Sequence, residues 1–286
     1  MSSKDCAGFI HMIKFAVWMI FPLIAILMEG IKRKLIARMQ NRVGPPLLQP
    51  LYDIWKLFHK EGTNGGILSI IPIFALIGAW AIFLFFPLQI ISFKFDFIFV
   101  FYVYIFVSIT LILAGIASNS PYGIIGSMRE MTLMIAYEFT FFICMFTFFL
   151  YGGAESFAML PEKVLIAKVP LTIVALLCVI LIEHRITPFD TASAPSEIMA
   201  GYTTQYAGRD LAFFELAEMT KKLAVTSIFA FLTFPHNLVW FGIVTTGMYF
   251  VCAAARVTSP RFRVDQALGA FATILFLAFI NFLIFL

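Results

Sequence analysis

Charged side chains are scarce in this chain. They make up 13% of 286 residues, against about 25% in an ordinary soluble domain. That scarcity excludes a surface hydrated all round, and 62% apolar residues with a mean hydropathy of +0.96 point the same way. Cysteine is scarce too. Cys6, Cys144, Cys178 and Cys252 lie far apart with no C-x-x-C pair, which excludes a disulfide framework, a zinc site or an iron–sulfur cluster within this chain. Three of them sit in apolar segments and read as packing residues. The four histidines, His11, His59, His184 and His236, are dispersed, so a haem pair has little support, and no metal ligand set stands out. No phosphate-binding glycine loop, nucleotide fingerprint, metalloprotease helix or Ser/His/Asp order is present. The net charge of +4 does not speak for nucleic acid, because the basic residues cluster beside apolar segments.

What is present is a series of charge-free windows. Each is about 20 residues long, enough for a helix to cross a hydrocarbon core of about 30 Å. The segments are too uniformly apolar for a β-barrel, whose strands alternate. The chain therefore reads as all-α: a polytopic membrane protein with about eight transmembrane helices, in a single transmembrane domain over residues 1–286. The spans are placed at Phe9–Met28, Ile67–Ile91, Ile98–Ser118, Met131–Tyr151, Val164–Ile182, Leu223–Phe234, Leu238–Ala255 and Ala267–Leu286. The sixth is short alone and extends back towards Leu211. The first lacks a small-residue cleavage site and reads as a retained span with a kink at Pro22.

Fifteen of the twenty basic residues fall in the loops after spans one, three, five and seven. The positive-inside rule puts those loops in the cytoplasm of a plasma-membrane protein and both termini outside. The first of these loops carries Leu47, Leu48, Leu51, Ile54, Trp55 and Phe58 at helical spacing, with Asp53 and Lys56 on the other face. Starting at Pro45 and Pro46, this predicts an amphipathic helix in the membrane interface, an anchor or a rim for a bound partner.

Sixteen acids serve the whole chain, and ten of all charged residues crowd between Glu183 and Lys222. Charges near a span cost free energy unless paired or neutralised, so each is a functional candidate. Glu29 ends span one with Arg33 at i+4, an interfacial pair. Glu138 lies seven residues into span four with no basic neighbour one turn away, about 10 Å deep along the helix. Desolvation favours its neutral form, which suits taking up and releasing a proton. Glu183 closes span five, and Glu215 and Glu218 share a helix face, with Lys221 and Lys222 one turn on. The last three could be ordinary salt bridges at an interface, but together Glu138, Glu183, Glu215 and Glu218 are the carboxylates of a candidate proton path. His184, flanked by Glu183 and Arg185, reads as solvated or facing lipid headgroups.

Three stretches carry a family resemblance. Met39-Gln40-Asn41-Arg42-Val43-Gly44-Pro45-Pro46 through Gln49-Pro50-Leu51-Tyr52-Asp53 to Lys56 resembles a signature of one membrane subunit family of NADH–quinone oxidoreductase, bacterial and mitochondrial, known in mitochondria as subunit 1. Ser120-Pro121-Tyr122-Gly123 through Arg129-Glu130 to Tyr137-Glu138 resembles the second signature, and Thr187-Pro188-Phe189-Asp190 through Gly201-Tyr202 to Gln205-Tyr206-Ala207-Gly208 the third. The likeness runs along nearly the whole chain. Ser193, Pro195 and Gln205 stand where the quinone-reducing branch has glutamates, and Asp190 and Glu197 remain. That wording is more similar to the membrane anchor subunit of group 4 membrane-bound NiFe-hydrogenases and of related ferredoxin-dependent sulfur reductase complexes.

The resemblance implies a non-catalytic subunit of an oxidoreductase complex. Its cytoplasmic loops would dock hydrogenase-like large and small subunits and an iron–sulfur subunit, and antiporter-like membrane subunits would lie alongside in the lipid. Iron–sulfur clusters and the NiFe centre would belong to those partners, with no cofactor in this chain. Asp190 and Glu197 would sense the redox partner, and Arg129 would tie the loops together. The alternative is the quinone-site subunit of a complex I. A stand-alone ion-coupled transporter would show repeated, broken spans with midplane sites, and no repeat is visible. A purely structural anchor would tolerate loss of Glu138.

Overall fold

In lipid the backbone must satisfy its own hydrogen bonds, so long apolar runs become helices. The computed structural model describes residues 3–62, 67–118, 120–161, 169–190, 201–235 and 237–285. Among them lie α1 (Ser3–Met39), α2 (Gln49–Phe58), α3 (Ile67–Ala81), α4 (Asp96–Ala117), α5 (Pro121–Gly152), α6 (Pro170–Glu183), α7 (Gly208–Thr233), α8 (Leu238–Thr258) and α9 (Val264–Phe285). No strand occurs among the described residues. Among the described residues, five helices are long and apolar enough to cross a membrane: His11–Met39 in α1, then α4, α5, α8 and Asp265–Ile284 in α9.

The boundaries depart from the apolar windows for physical reasons. The window at Ile67–Ile91 is helical only to Ala81 and closes in a tight turn at Ile82–Leu84, because Pro87 further on has no N–H to continue it. α1 runs well past Met28, so Glu29, Lys32 and Arg33 sit on the same helix as the first span. α2 starts at Gln49 with Pro50 in its first turn, later than Pro45 and Pro46 suggested.

α7 is the hub. It packs against α1, α2, α3, α6 and α8, and more lightly against α4. Most of its residues are buried, the lysine Lys221 among them. This explains why it does not read as an apolar span. Its charges are directed at neighbouring helices instead of water. α2 lies across the bundle against α1 and α7, with Ile54 buried and Phe58 edge-on to Phe213, ring centroids 5.1 Å apart. Tyr52 and Trp55 face outwards, so α2 has a second, open apolar edge, as an interfacial helix needs. The other end of the bundle is filled by phenylalanine. Phe97 stacks on Phe149 at 4.2 Å, and Phe157 contacts Phe86, Phe149 and Phe231 at 5.1–5.8 Å.

Candidate functional site: a chain of buried ion pairs

At the end of α6 the helix signal fails, and three consecutive polar residues turn into the bundle. Glu183 accepts hydrogen bonds from Lys221 of α7 (2.8 Å) and from the Tyr104 hydroxyl of α4 (2.7 Å). The Lys221 ammonium also lies over the Tyr104 ring, 4.6 Å from its centroid. Both ends of the Glu183–Lys221 pair are buried, at 5% and 2% side-chain exposure. Arg185, at φ 48°, reaches Glu130 of α5 (3.2 Å) and pairs with Glu218 of α7. Lys222 donates to Glu218 across one helical turn (3.2 Å).

A further group faces α2. Glu29 pairs with Lys32 (2.5 Å) and lies 3.8 Å from Arg33, and Arg33 reaches Asp53 at 3.1 Å. Gln49 donates to the other oxygen of Asp53 (2.9 Å). Glu215 is half-buried and faces Arg33, Lys222, Asp53 and Glu29. Lys56 is exposed and makes no ion pair among the described residues.

Glu138 is 4% exposed in mid-α5. It faces Ser108 of α4, with Lys221 and Glu183 close by. Its Oε1 has no hydrogen-bond partner among the described residues. Tyr137 beside it is buried and faces Glu183, Glu130 and Glu138. Acids and bases thus follow one another from Asp53 on α2 through α1, α7 and α5 to Glu138. In such a series each group's ionisation depends on its neighbours' charge.

His184 corrects the sequence reading. It does not face headgroups but is 2% exposed, its ring edge-on to Tyr249 at 4.8 Å. The inward turns of Glu183 and Arg185 drag it in. Burial, with Lys32 and Lys222 nearby, holds its imidazole well below its ordinary range. The unfolded chain then binds the extra proton more readily than the fold, so stability rises with pH and falls away as pH drops through the free-histidine value of about 6.5. His184→Gln is expected to flatten the loss of thermal stability between pH 7 and 5, read by heating in detergent at each pH.

Asp190 pairs with Arg261 at 3.1 Å, and the stretch before it is stapled to the last turn of α8 by Thr187 Oγ1 donating to the Arg256 carbonyl, and to the α8–α9 connection by Phe262 N–H donating to the Pro188 carbonyl. Arg129 is half-buried on α5 next to Glu130. Glu197 lies outside the described residues, as do Ser193 and Pro195. Tyr206 donates to the Ala114 carbonyl, and burial beside Asp210 pushes its phenol up to about 12. Among the described residues no cluster of three or more His, Cys, Asp or Glu is arranged to hold a metal ion. A cavity lined by Lys14, Gln89, Phe234 and Asn237 contains none of the paired residues.

Sequence reading missed Tyr104 and Lys32 and left Lys221 without its partner. Lys32 had a signal, since it stands at i+3 from Glu29. Asp96 was also missed: fully buried at the head of α4, it accepts the Phe157 N–H at 3.0 Å.

Comparisons with known proteins give a family and a fold. The family model described as NADH dehydrogenase matches residues 12–286. An NADH-quinone oxidoreductase subunit of Bacillus cytotoxicus is 30% identical over 298 residues, covering 93% of this chain and 90% of the relative. Its namesake in Protochlamydia amoebophila is 30% identical over 277 residues, covering 85% of each. Among solved structures, a chain of the membrane-bound sulfane sulfur reductase, an archaeal respiratory membrane complex, superposes with a TM-score of 0.86 at 21% identity, over 97% of this chain and 99% of that one. The last likeness is one of fold. On the match over residues 12–286, the chain belongs to the NADH dehydrogenase family, in the company of these bacterial NADH-quinone oxidoreductase subunits.

Proposed function

We propose that this chain is the membrane anchor subunit of a complex I-like respiratory complex, and that it couples redox chemistry in a peripheral arm to ion movement in the membrane. The observation that carries this reading is the run of ion pairs from the part-exposed Arg33–Asp53 pair to the buried Glu183–Lys221 pair, next to Glu138, an acid with an unpartnered oxygen. A mere anchor has no use for so many desolvated charges, since buried pairs at best offset their own desolvation. The phenylalanine packing at the far end gives the run no polar exit there, so charge leaves sideways, towards an antiporter-like membrane subunit.

In this reading the cytoplasmic loops dock hydrogenase-like large and small subunits and an iron–sulfur subunit, both termini lie outside the plasma membrane, and ferredoxin-driven hydrogen evolution or sulfur reduction supplies the energy. A charge change beside Asp190 and Glu197 alters the ionisation of the next pair in line, and the change is passed inwards. The moved ion is a proton, or sodium exchanged by a neighbour. The sulfane sulfur reductase fold and the residues Ser193, Pro195 and Gln205 favour this over the quinone reading. The names of the curated relatives favour quinone chemistry, with the same path serving it.

The test uses Glu138→Gln and Glu218→Gln in the intact complex. Both are expected to cut ion translocation by about 10²-fold or more, as loss of a proton-transfer group does. Electron transfer within the separated peripheral arm is expected to stay near the wild-type rate. Unchanged translocation in both variants would refute the path. Hydrogen or sulfide production from reduced ferredoxin separates the two ferredoxin chemistries, and inhibition by a quinone analogue selects the alternative.

A further inference from the structure

The charges nearest α2 close on themselves. Among the described residues, the hydrogen bonds and ion pairs of Glu29, Lys32, Arg33 and Asp53 stay within that set and Gln49. The groups deeper in, around Glu218 and Glu183, are held by Arg185, Lys221 and Lys222. A proton path needs a link between these sets. Glu215 of α7 faces Arg33, Asp53 and Glu29 as well as Lys222, and a second side chain, His184, stands between the sets from the α6 side. His184 follows Glu183 and precedes Arg185, so the backbone fixes it beside both inner groups. Its ring faces Glu29 and Lys32 from α1, Lys222 from α7 and Tyr249 from α8.

Both ring nitrogens are buried and have no hydrogen-bond partner among the described residues. Leaving a buried polar atom bare is costly, and a residue that only packs would not keep two. A buried edge-on contact with Tyr249 needs a ring, which phenylalanine would provide without that cost.

We infer that His184 is a proton-relaying link between the Glu29 set and the Glu218–Glu183 sets. Imidazole suits this because one nitrogen accepts while the other donates. A proton released as the Lys32 ammonium's N–H bond breaks forms an N–H bond at one nitrogen, directly or through water, and the Glu29 side restores the proton to Lys32. The N–H bond at the other nitrogen breaks and its proton passes towards Glu218, and a ring flip restores the starting tautomer. One proton enters as one leaves, so no lasting charge is placed among Lys32 and Lys222. The link rests on the proton-path reading above.

The experiment measures proton translocation per electron in the native complex, fed reduced ferredoxin in sealed vesicles, with co-purification of partner chains as the check on assembly. His184→Gln is expected to lower translocation about tenfold or more, within the range of a lost proton-transfer group. His184→Ala is expected to lose it likewise and to regain several-fold on addition of imidazole, but not of 1-methylimidazole, which fills the space yet has no N–H to pass on. Wild-type translocation by His184→Gln, with Glu218→Gln impaired, would overturn the link and leave the path standing. Wild-type translocation by both would remove the path and the link together. Equal rescue by the two imidazoles would show that the ring only packs, and would also overturn the link. If the alanine variant fails to assemble, the glutamine variant decides alone.

Discussion

Lys221→Met is expected to cost about 3–5 kcal/mol, the usual penalty for stripping one partner from a buried ion pair. Methionine is close to the lysine stem in length and flexible, so packing is largely kept. What changes is Glu183. It stays 5% exposed and loses the ammonium at 2.8 Å, keeping only the Tyr104 hydroxyl at 2.7 Å among its direct partners. Arg185 lies near but is engaged by Glu130 and Glu218. The double variant Lys221→Met with Glu183→Gln removes the orphaned charge and is expected to recover most of the loss, since replacing a whole buried pair is often neutral. The measurement is the folded fraction surviving a heating series in detergent, for both singles and the double. A Lys221→Met protein as stable as the wild type would show that water reaches Glu183, and would undercut the dry ion chain. A double variant less stable than either single would show that the hydrogen bond from Tyr104, not the charge, holds the joint between α4, α6 and α7.

How far the chain could be read without its fold differs residue by residue. Glu138 was legible because a lone acid in an apolar run has only one local environment, that of the helix core. The pair of Glu29 and Arg33 was legible because both sit on one helix at a spacing that brings them together, and the fold places them 3.8 Å apart. The partners of Glu183 were not, because Lys221 and Tyr104 come from other helices and spacing along the chain says nothing about them. His184 was misplaced for the same reason. Its neighbours looked like surface charges until the fold aimed them at Lys221, Glu130 and Glu218. α7 was only half visible, because a helix buried on most sides by pairing its charges looks, in sequence, like a short span with a polar head. The cytoplasmic placement of the loops rests on counting basic residues, and remains a property of the sequence.

Gly208→Ala is the other substitution with a large expected effect, and it acts on function through the backbone. Gly208 opens α7 at φ +53°, in the left-handed region, where a side chain costs about 1–2 kcal/mol. Space is the greater obstacle. A Cβ there would lie 1.8 Å from the Glu61 carbonyl oxygen and 2.8 Å from that of Lys60, both backbone atoms just past the end of α2. No rotamer change relieves a clash with backbone, so either the end of α2 or the start of α7 must move, adding overpacking of about 1–3 kcal/mol. α7 carries Glu215, Glu218, Lys221 and Lys222, and α2 carries Asp53. A shift between them therefore misaligns the first step of the ion chain even if the bundle survives. The expected result is a protein several kcal/mol less stable whose residual assembled fraction transfers electrons but moves few ions. Comparison with Gly153→Ala isolates the clash from the backbone strain, because Gly153 has φ +61° and nothing within 4 Å of its would-be Cβ. If the two variants lose equal stability and translocation, the close approach of α2 to α7 is not what sets the register of the chain. If Gly208→Ala loses far more, the glycine is the hinge point through which the interfacial helix is fixed to the helix that carries the charge.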